Sequence, residues 1–252
     1  MKHEALVANQ FGATAEAYLS SAAHVGGDDL TRLAEITAAM PRATVLDLGC
    51  GAGHASFAMA PAAASVTAYD LTAEMLEIVR REAAARGFAN LVTAQGSAEA
   101  LPFPDTSFDL VVTRTSAHHW HDVPKALQES RRVLKPGGRM LMIDTAGGSH
   151  PLVDTHLQAV EILRDSSHIR NYTAAEWLAF FREAGFASAE ITCEWPLPLD
   201  FQSWVKRMRT PPERVAAIHS LWQGAPDEVR RAFSVQPDSS FTLQKILVTA
   251  LR

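Results

Sequence analysis

The stretch Val45-Leu46-Asp47-Leu48-Gly49-Cys50-Gly51-Ala52-Gly53-His54 decides the reading of this chain. It opens in an apolar run, Thr44–Leu48, and leads into a helical pattern, so a strand, a glycine turn and a helix N-terminus are expected in that order. Glycines at 49, 51 and 53 let the backbone approach a ligand closely at a helix N-terminus, where free N–H groups and the dipole favour an anion. A dinucleotide fingerprint would read GxGxxG. Here the third glycine falls one residue early, His54 takes its place, and Asp47 stands two residues before the first glycine. Both departures argue against a nicotinamide nucleotide. The next apolar run closes on Tyr69-Asp70, 21 residues past Gly49, where a carboxylate is placed to accept hydrogen bonds from ribose hydroxyls. The bland alternative is a tight turn with Asp70 as a helix cap.

Outward from this loop, apolar runs at Thr44–Leu48, Ser65–Tyr69, Leu91–Ala94, Asp109–Thr113 and Arg139–Asp144 alternate with helical patterns. One helix is expected over Thr72–Arg86. Another, Val123–Leu134, has Asp122 as N-cap, Pro124 in its first turn and a breaker at Lys135-Pro136-Gly137-Gly138. Strands alternating with helices imply an α/β, doubly wound, mostly parallel sheet. Helices are expected before it at Ala5–Ser20 and Asp29–Met40. After it, helices are expected over Val153–Leu163, Thr173–Ala184, Phe201–Arg209, Glu213–Gln223 and Pro226–Phe233. Thr173-Ala174-Ala175-Glu176 and Thr210-Pro211-Pro212-Glu213 read as capping boxes. Strands at Ala189–Cys193 and Phe241–Ala250 bring the sheet to seven. A single domain over 1–252 results: N-terminal helices at 1–40, a core at 41–149, and lid segments at 150–172 and 197–238.

In this setting the glycine loop resembles the first motif of class I S-adenosylmethionine-dependent methyltransferases, and Asp70 matches that family's second-strand acid. Further matches follow in chain order. Gly96-Ser97-Ala98-Glu99-Ala100-Leu101-Pro102-Phe103-Pro104-Asp105 resembles the loop that borders adenine. Phe108–Val112 resembles the fourth strand, and Arg132–Arg139 the turn into the fifth. Within the superfamily the chain is similar to the branch of ubiquinone and menaquinone C-methyltransferases and their uncharacterised bacterial relatives. The resemblance implies a Rossmann-like methyltransferase fold, S-adenosylmethionine as cofactor and S-adenosylhomocysteine as product. It implies cofactor contacts from Asp47, Gly49, Gly51, Gly53, Asp70, Leu71, Met75, Ser97, Ala98, Glu99 and Arg114. Ser97 stands where this branch often carries Asp, and a serine oxygen is a weaker, neutral acceptor for the adenine amino group.

Ligands of doubly wound sheets gather at the carboxyl ends of the strands. The segment Thr113–His121 is therefore expected to face the acceptor. It lacks the Asn/Asp-Pro-Pro-aromatic motif of enzymes that methylate exocyclic amines, and it has no cysteine for a covalent adduct. Methyl transfer from a sulfonium needs alignment and desolvation, and a base where the acceptor carries a proton. His119 is the candidate base, since imidazole titrates near neutrality, and His118 a candidate acceptor contact. The cluster Leu163–Tyr172 adds Arg164, His168 and Arg170, which either clamp an acceptor or staple a lid through an Arg–Asp pair. Tyr18, on the leading helix, is a further acceptor candidate. No metal site is expected: His118, His119 and His121 have no fourth ligand at useful spacing.

The 252 residues are 47% hydrophobic and 20% charged, the composition of a globular protein, with a formal net charge of −5 that argues against non-specific nucleic-acid binding. Cys50 and Cys193 form neither a zinc nor a disulfide pattern. No signal peptide and no apolar run of membrane-spanning length is seen, so a cytoplasmic protein is expected. The favoured reading is a methyltransferase for a small-molecule acceptor, with oligomeric state and methylated atom (C, O or N) open. The rivals are an RNA or protein methyltransferase, a non-catalytic cofactor-binding module and, more weakly, an aminopropyl transferase.

Overall fold

The computed structural model describes residues 2–12, 16, 19 and 26–252. Seven strands form one sheet in the order β3-β2-β1-β4-β5-β7-β6. They are β1 (Thr44–Leu48), β2 (Ser65–Asp70), β3 (Leu91–Gln95), β4 (Phe108–Arg114), β5 (Leu134–Thr145), β6 (Ser188–Leu199) and β7 (Phe241–Leu251). The first five run parallel, while β7 lies antiparallel to β5 and β6 antiparallel to β7. Because β1 pairs with both β2 and β4, the order reverses beside it and opens a crevice at the carboxyl ends of these strands.

The helices are α1 (His3–Gly12), α2 (Asp28–Ala38), α3 (His54–Met59), α4 (Ala73–Arg86), α5 (Val123–Val133), α6 (Pro151–Arg164), α7 (Ala174–Glu183), α8 (Phe201–Arg207), α9 (Pro212–Gln223) and α10 (Asp227–Ala232). Alternation along the strands sends side chains to two cores. Leu46 and Leu48 pack with Leu127, Trp177 and Phe181 of α5 and α7. Val45 and Leu110 pack with Leu33, Phe57, Leu76 and Val79 of α2, α3 and α4. A third cluster joins Leu157 and Val160 of α6 to Trp204, Ile218, Trp222 and Val229 of α8, α9 and α10, and to Phe241 and Leu243 of β7. The two stretches expected as separate lid segments thus share one apolar centre.

Two local signals are present as read. Asp122 accepts from the Lys125 N–H at 2.9 Å, and Thr173 and Glu176 make a reciprocal capping box. The box at Thr210 does not form. The Thr210 hydroxyl donates to the Arg164 carbonyl at 3.0 Å, and α9 begins with Pro211 as N-cap. Strand β5 starts five residues early because Leu134 already pairs with Phe108, and Lys135–Gly138 bulge out of the ladder before Arg139 meets Leu110. Strand β6 runs six residues past the expected Cys193, through Pro196 and Pro198, which an edge strand tolerates. Among the described residues no helix is long and apolar enough to cross a membrane.

Trp222 is fully buried at the centre of the third cluster. Trp222→Ala should destabilise the protein by about 3–5 kcal/mol, the cost of an unfilled aromatic site, measured as a lower midpoint in urea unfolding.

Candidate functional site

The crevice holds a cavity of about 150 Å³, walled by the glycine loop, the ends of β1, β2 and β4, and α1. The loop is stitched to β2, with the Gly49 and Cys50 N–H groups donating to the Tyr69 carbonyl at 2.8 and 3.0 Å. Asp70 then holds both sides: Oδ2 accepts from the Gly51 N–H at 2.8 Å and Oδ1 from the Thr72 N–H at 2.9 Å. It caps backbone, as the bland reading has it, yet each carboxylate oxygen keeps acceptor capacity toward the cavity it lines. Gly49, at φ 71°, leaves no room for a Cβ, which would collide with the Ser116 hydroxyl. Gly53 does not line the cavity. It sits in the left-handed region at φ 89°, and a Cβ there would come within 2.8 Å of Phe57 and 2.9 Å of Val79. The third glycine serves the packing of α3.

Asp47 lies at the floor of this cavity with no solvent exposure. Its Oδ2 accepts from the Ser56 hydroxyl at 2.6 Å, while Oδ1 is buried with no hydrogen-bond partner. Burial pushes its carboxyl up to about 6, opposed by the Ser56 hydrogen bonds. Such an orphaned oxygen suits a cationic or N–H-bearing ligand group. Arg114 lines the same cavity and donates through Nε to Asp29 at 2.8 Å. Asp29 also receives the Lys245 ammonium at 2.6 Å.

Leu71, Met75, Ser97, Ala98 and Glu99 line the opposite end. The Ser97 hydroxyl donates to Glu99 Oε2, and Glu99 Oε1 accepts from the His121 and Asp122 N–H groups at 3.0 and 3.3 Å. A carboxylate, Glu99, thus lies two residues after Ser97 on the same wall. Helix α1 contributes His3, Glu4, Val7 and Phe11 to the wall. Sequence reading gave His3, Glu4 and Val7 no role, while Phe11 falls in the stretch Asn9–Tyr18 that resembles the leading helix closing over the cofactor in related enzymes. Tyr18 lies outside the described residues.

A second cavity of about 80 Å³ adjoins the first, and Phe11, Thr115 and His119 line both. Thr115 holds φ 56°, a strained conformation for a β-branched residue, at this junction. The His119 Nδ1 lies 3.0 Å from the Ser167 carbonyl. A carbonyl only accepts, so Nδ1 carries the proton and Nε2 the lone pair, 3.8 Å from Asp165 Oδ2 and beyond hydrogen-bond reach. Burial, reinforced by the charge of His118, pushes His119 down to about 4. His118 behaves oppositely. Burial works against its proton, but the Asp144 carboxylate at 2.7 Å outweighs burial and holds its pKa above the usual imidazole value.

His118 and Arg164 line the second cavity; His168 and Arg170 do not. His168 is buried behind His118, with ring centroids 5.4 Å apart, and its Nε2 lies 3.4 Å from Gln158 Oε1. Arg170 pairs with Asp154 at 2.8 Å and Glu176 at 3.6 Å. Arg170 and Asp154 both lie within segment 150–172, whereas Glu176 belongs to α7. Among the polar residues missed here are Thr145, Glu161, Asn171, Arg207 and Lys245. Lys245 had a signal: it is the one charge inside the apolar run of β7.

Sheet order and glycine loop together define a class, the S-adenosylmethionine-dependent methyltransferases of class I. Residues 46–142 match the family described as Methyltransferase domain. The chain is 48% identical over 202 residues to the uncharacterised protein YafE of Escherichia coli (strain K12), covering 80% of this chain and 97% of that one. It is 36% identical over 247 residues to the uncharacterised methyltransferase YcgJ of Bacillus subtilis (strain 168), covering 96% and 97%. The crystal structure of that protein superposes with a TM-score of 0.83 at 35% identity, over 88% of this chain and 98% of the other. Demethylmenaquinone methyltransferase of Clavibacter sepedonicus is 36% identical over 186 residues, 66% of this chain and 75% of its own. The chain belongs to this methyltransferase family.

The Asp47 carboxyl gives the ligand-free protein a measurable pH dependence. The unfolded chain releases this proton near pH ~4, whereas the folded state keeps it to about pH 6. Its folded pKa is raised, so its contribution to stability is full at low pH and lost as pH rises through that window. Asp47→Asn keeps an oxygen for Ser56 and should gain about 3 kcal/mol on the wild type between pH 4 and 7. Urea unfolding at each pH reads the difference.

Proposed function

We propose that this methyltransferase acts on a small-molecule acceptor, with His119 as its general base. The observation that carries the proposal is His119 itself, neutral and with Nε2 unprotonated, on the wall shared by two adjoining cavities. A relative that bears the name demethylmenaquinone methyltransferase supports the acceptor class.

The first cavity fits S-adenosylmethionine. The orphaned Asp47 Oδ1 suits its ammonium group, and no protein atom lies within 4 Å of where a Cβ on Gly51 would stand. In this assignment Asp47 and Arg114 hold the methionine end, and the Gly49–Gly51 backbone approaches it. Asp70 takes the ribose hydroxyls with its remaining lone pairs. Ser97, Ala98 and Glu99 border the adenine, and Leu71 and Met75 pack against it. The cofactor supplies an electrophilic methyl on a sulfonium whose departure leaves a neutral thioether. The chain aligns the acceptor atom with that methyl, excludes water, and takes the acceptor's proton on His119 Nε2. Phe11, edge-on to His119 with centroids 4.9 Å apart, keeps the imidazole dry.

Calorimetry should show S-adenosylmethionine binding, weakened at least tenfold by Asp47→Asn and by Asp70→Asn, each a lost charge-assisted contact. His119→Ala should lower kcat by about 10²–10⁴ and leave cofactor affinity intact. Because His119 is already deprotonated at neutral pH, wild-type kcat should stay level from about pH 6 to 9 and fall only near its pKa of about 4. Full turnover in His119→Ala would remove the base from the mechanism.

A further inference from the structure

Two acceptor atoms stand 3.8 Å apart on the wall of the second cavity, Asp165 Oδ2 and His119 Nε2, and no hydrogen bridges them. Asp165 is 2% exposed and follows directly on α6. Its Oδ1 accepts from the Ser167 N–H at 2.8 Å and from the Ser167 hydroxyl at 2.6 Å. Its Oδ2 makes no hydrogen bond among the described residues, where the one basic group within 4 Å of the carboxylate is His119. Their separation is beyond hydrogen-bond reach, and Nε2, with the proton on Nδ1, has only a lone pair to offer. Both atoms keep accessible surface, on side chains that line the same cavity.

One turn fixes both atoms. Its hydrogen bonds to Ser167 set the direction of the carboxylate, and the Ser167 carbonyl accepts from His119 Nδ1 at 3.0 Å, which sets the ring and its tautomer. Ser167 has no exposure, and the Ile169 N–H ties the same segment to the His118 carbonyl at 2.9 Å. Two neighbouring acceptors without donors call for two hydrogens from one ligand atom. A hydroxyl brings one. A primary amine brings two, and its lone pair stays free in a third direction. The chain lacks the Asn/Asp-Pro-Pro-aromatic motif for exocyclic amines, and this pair gives a nitrogen another seat. Leu197, Leu199, Trp204 and Leu243 line the cavity as well, an apolar wall for the carbon frame of such a ligand.

Resting on the methyl-transfer reading above, we propose that the acceptor is a primary amine, bound neutral, whose two N–H groups donate to His119 Nε2 and Asp165 Oδ2. The nitrogen lone pair forms the new N–C bond as the C–S bond breaks with its electron pair on sulfur. The nitrogen then carries a positive charge and two protons. It gives one proton to Nε2 and becomes a secondary amine, whose remaining N–H stays on Asp165.

The test incubates the whole protein with a cytosolic metabolite extract and S-adenosylmethionine carrying an isotope-labelled methyl. NMR of the product should place the label on a nitrogen that keeps one exchangeable hydrogen. Treating the extract beforehand with o-phthalaldehyde and a thiol, which consumes primary amines, should abolish that product. Label on carbon, oxygen or sulfur, or on a nitrogen left without hydrogen, overturns the amine and leaves methyl transfer standing. So does a product that forms undiminished from the treated extract. No labelled product at all, with S-adenosylmethionine still bound, overturns the methyl-transfer reading, and the inference falls with it. Asp165→Asn can keep its oxygen on Ser167 while it turns an N–H donor toward the amine. It should raise the KM for that amine at least tenfold, weaken calorimetric binding of the purified product by a similar factor and leave the cofactor Kd unmoved. NMR of the imidazole nitrogens should show His119 still protonated on Nδ1, which separates the loss of Oδ2 from a displaced ring. An unchanged amine KM in the folded variant also overturns the proposal, and if the variant does not fold, the identity of the wild-type product decides.

Discussion

A single buried carboxylate holds the top of the sheet together. Asp29, at the start of α2, accepts Arg114 from the end of β4 at 2.8 Å and Lys245 from β7 at 2.6 Å. Each of these cations lines one of the two cavities. Both are buried, and two desolvated like charges stay in place only because an anion sits between them. Asp29 also accepts from its neighbour's N–H, Leu30, at 3.0 Å. The position of α2, the end of β4 and the antiparallel β7 are therefore one electrostatic unit, and the site is built around it.

The histidine cluster shows how one fixed charge sets the state of its neighbours. Asp144 raises the pKa of His118 against the effect of burial, and the His118 ring lies with its centroid 4.3 Å from that of His119. A proton on His119 is opposed by burial and by repulsion from any charge on His118. Both push His119 down, and they push the more distant, buried His168 down as well. The three imidazoles are thus set apart, His118 raised by Asp144 and His119 and His168 lowered by burial and by their neighbours.

Signals written in a few adjacent residues were legible in the sequence. The strand–glycine–helix unit, Asp70, the Asp122 cap and the Thr173–Glu176 box depend on local backbone geometry, and each was readable where it stands. Features set by distant partners were not. Thr210 has the chemistry of a cap, but its hydroxyl bonds Arg164 across the lid. Gly53 looks like part of a ligand loop, but Phe57 and Val79 determine its role. Arg164 and Arg170 are six residues apart, and only the fold puts one at a cavity wall and the other in ion pairs with Asp154 and Glu176.

The outer strand β6 has a consequence for the surface of the molecule. Pro196 and Pro198 lie two residues apart, opposite Gln244 and Thr242 of β7, and so fall on the same side of the strand. Proline is accommodated there when its nitrogen faces away from the ladder. Two successive positions on the free margin then offer carbonyls without N–H groups. An incoming strand finds half of its pairing alphabet missing. The margin is blunted at this end of β6 by the chemistry of the two prolines.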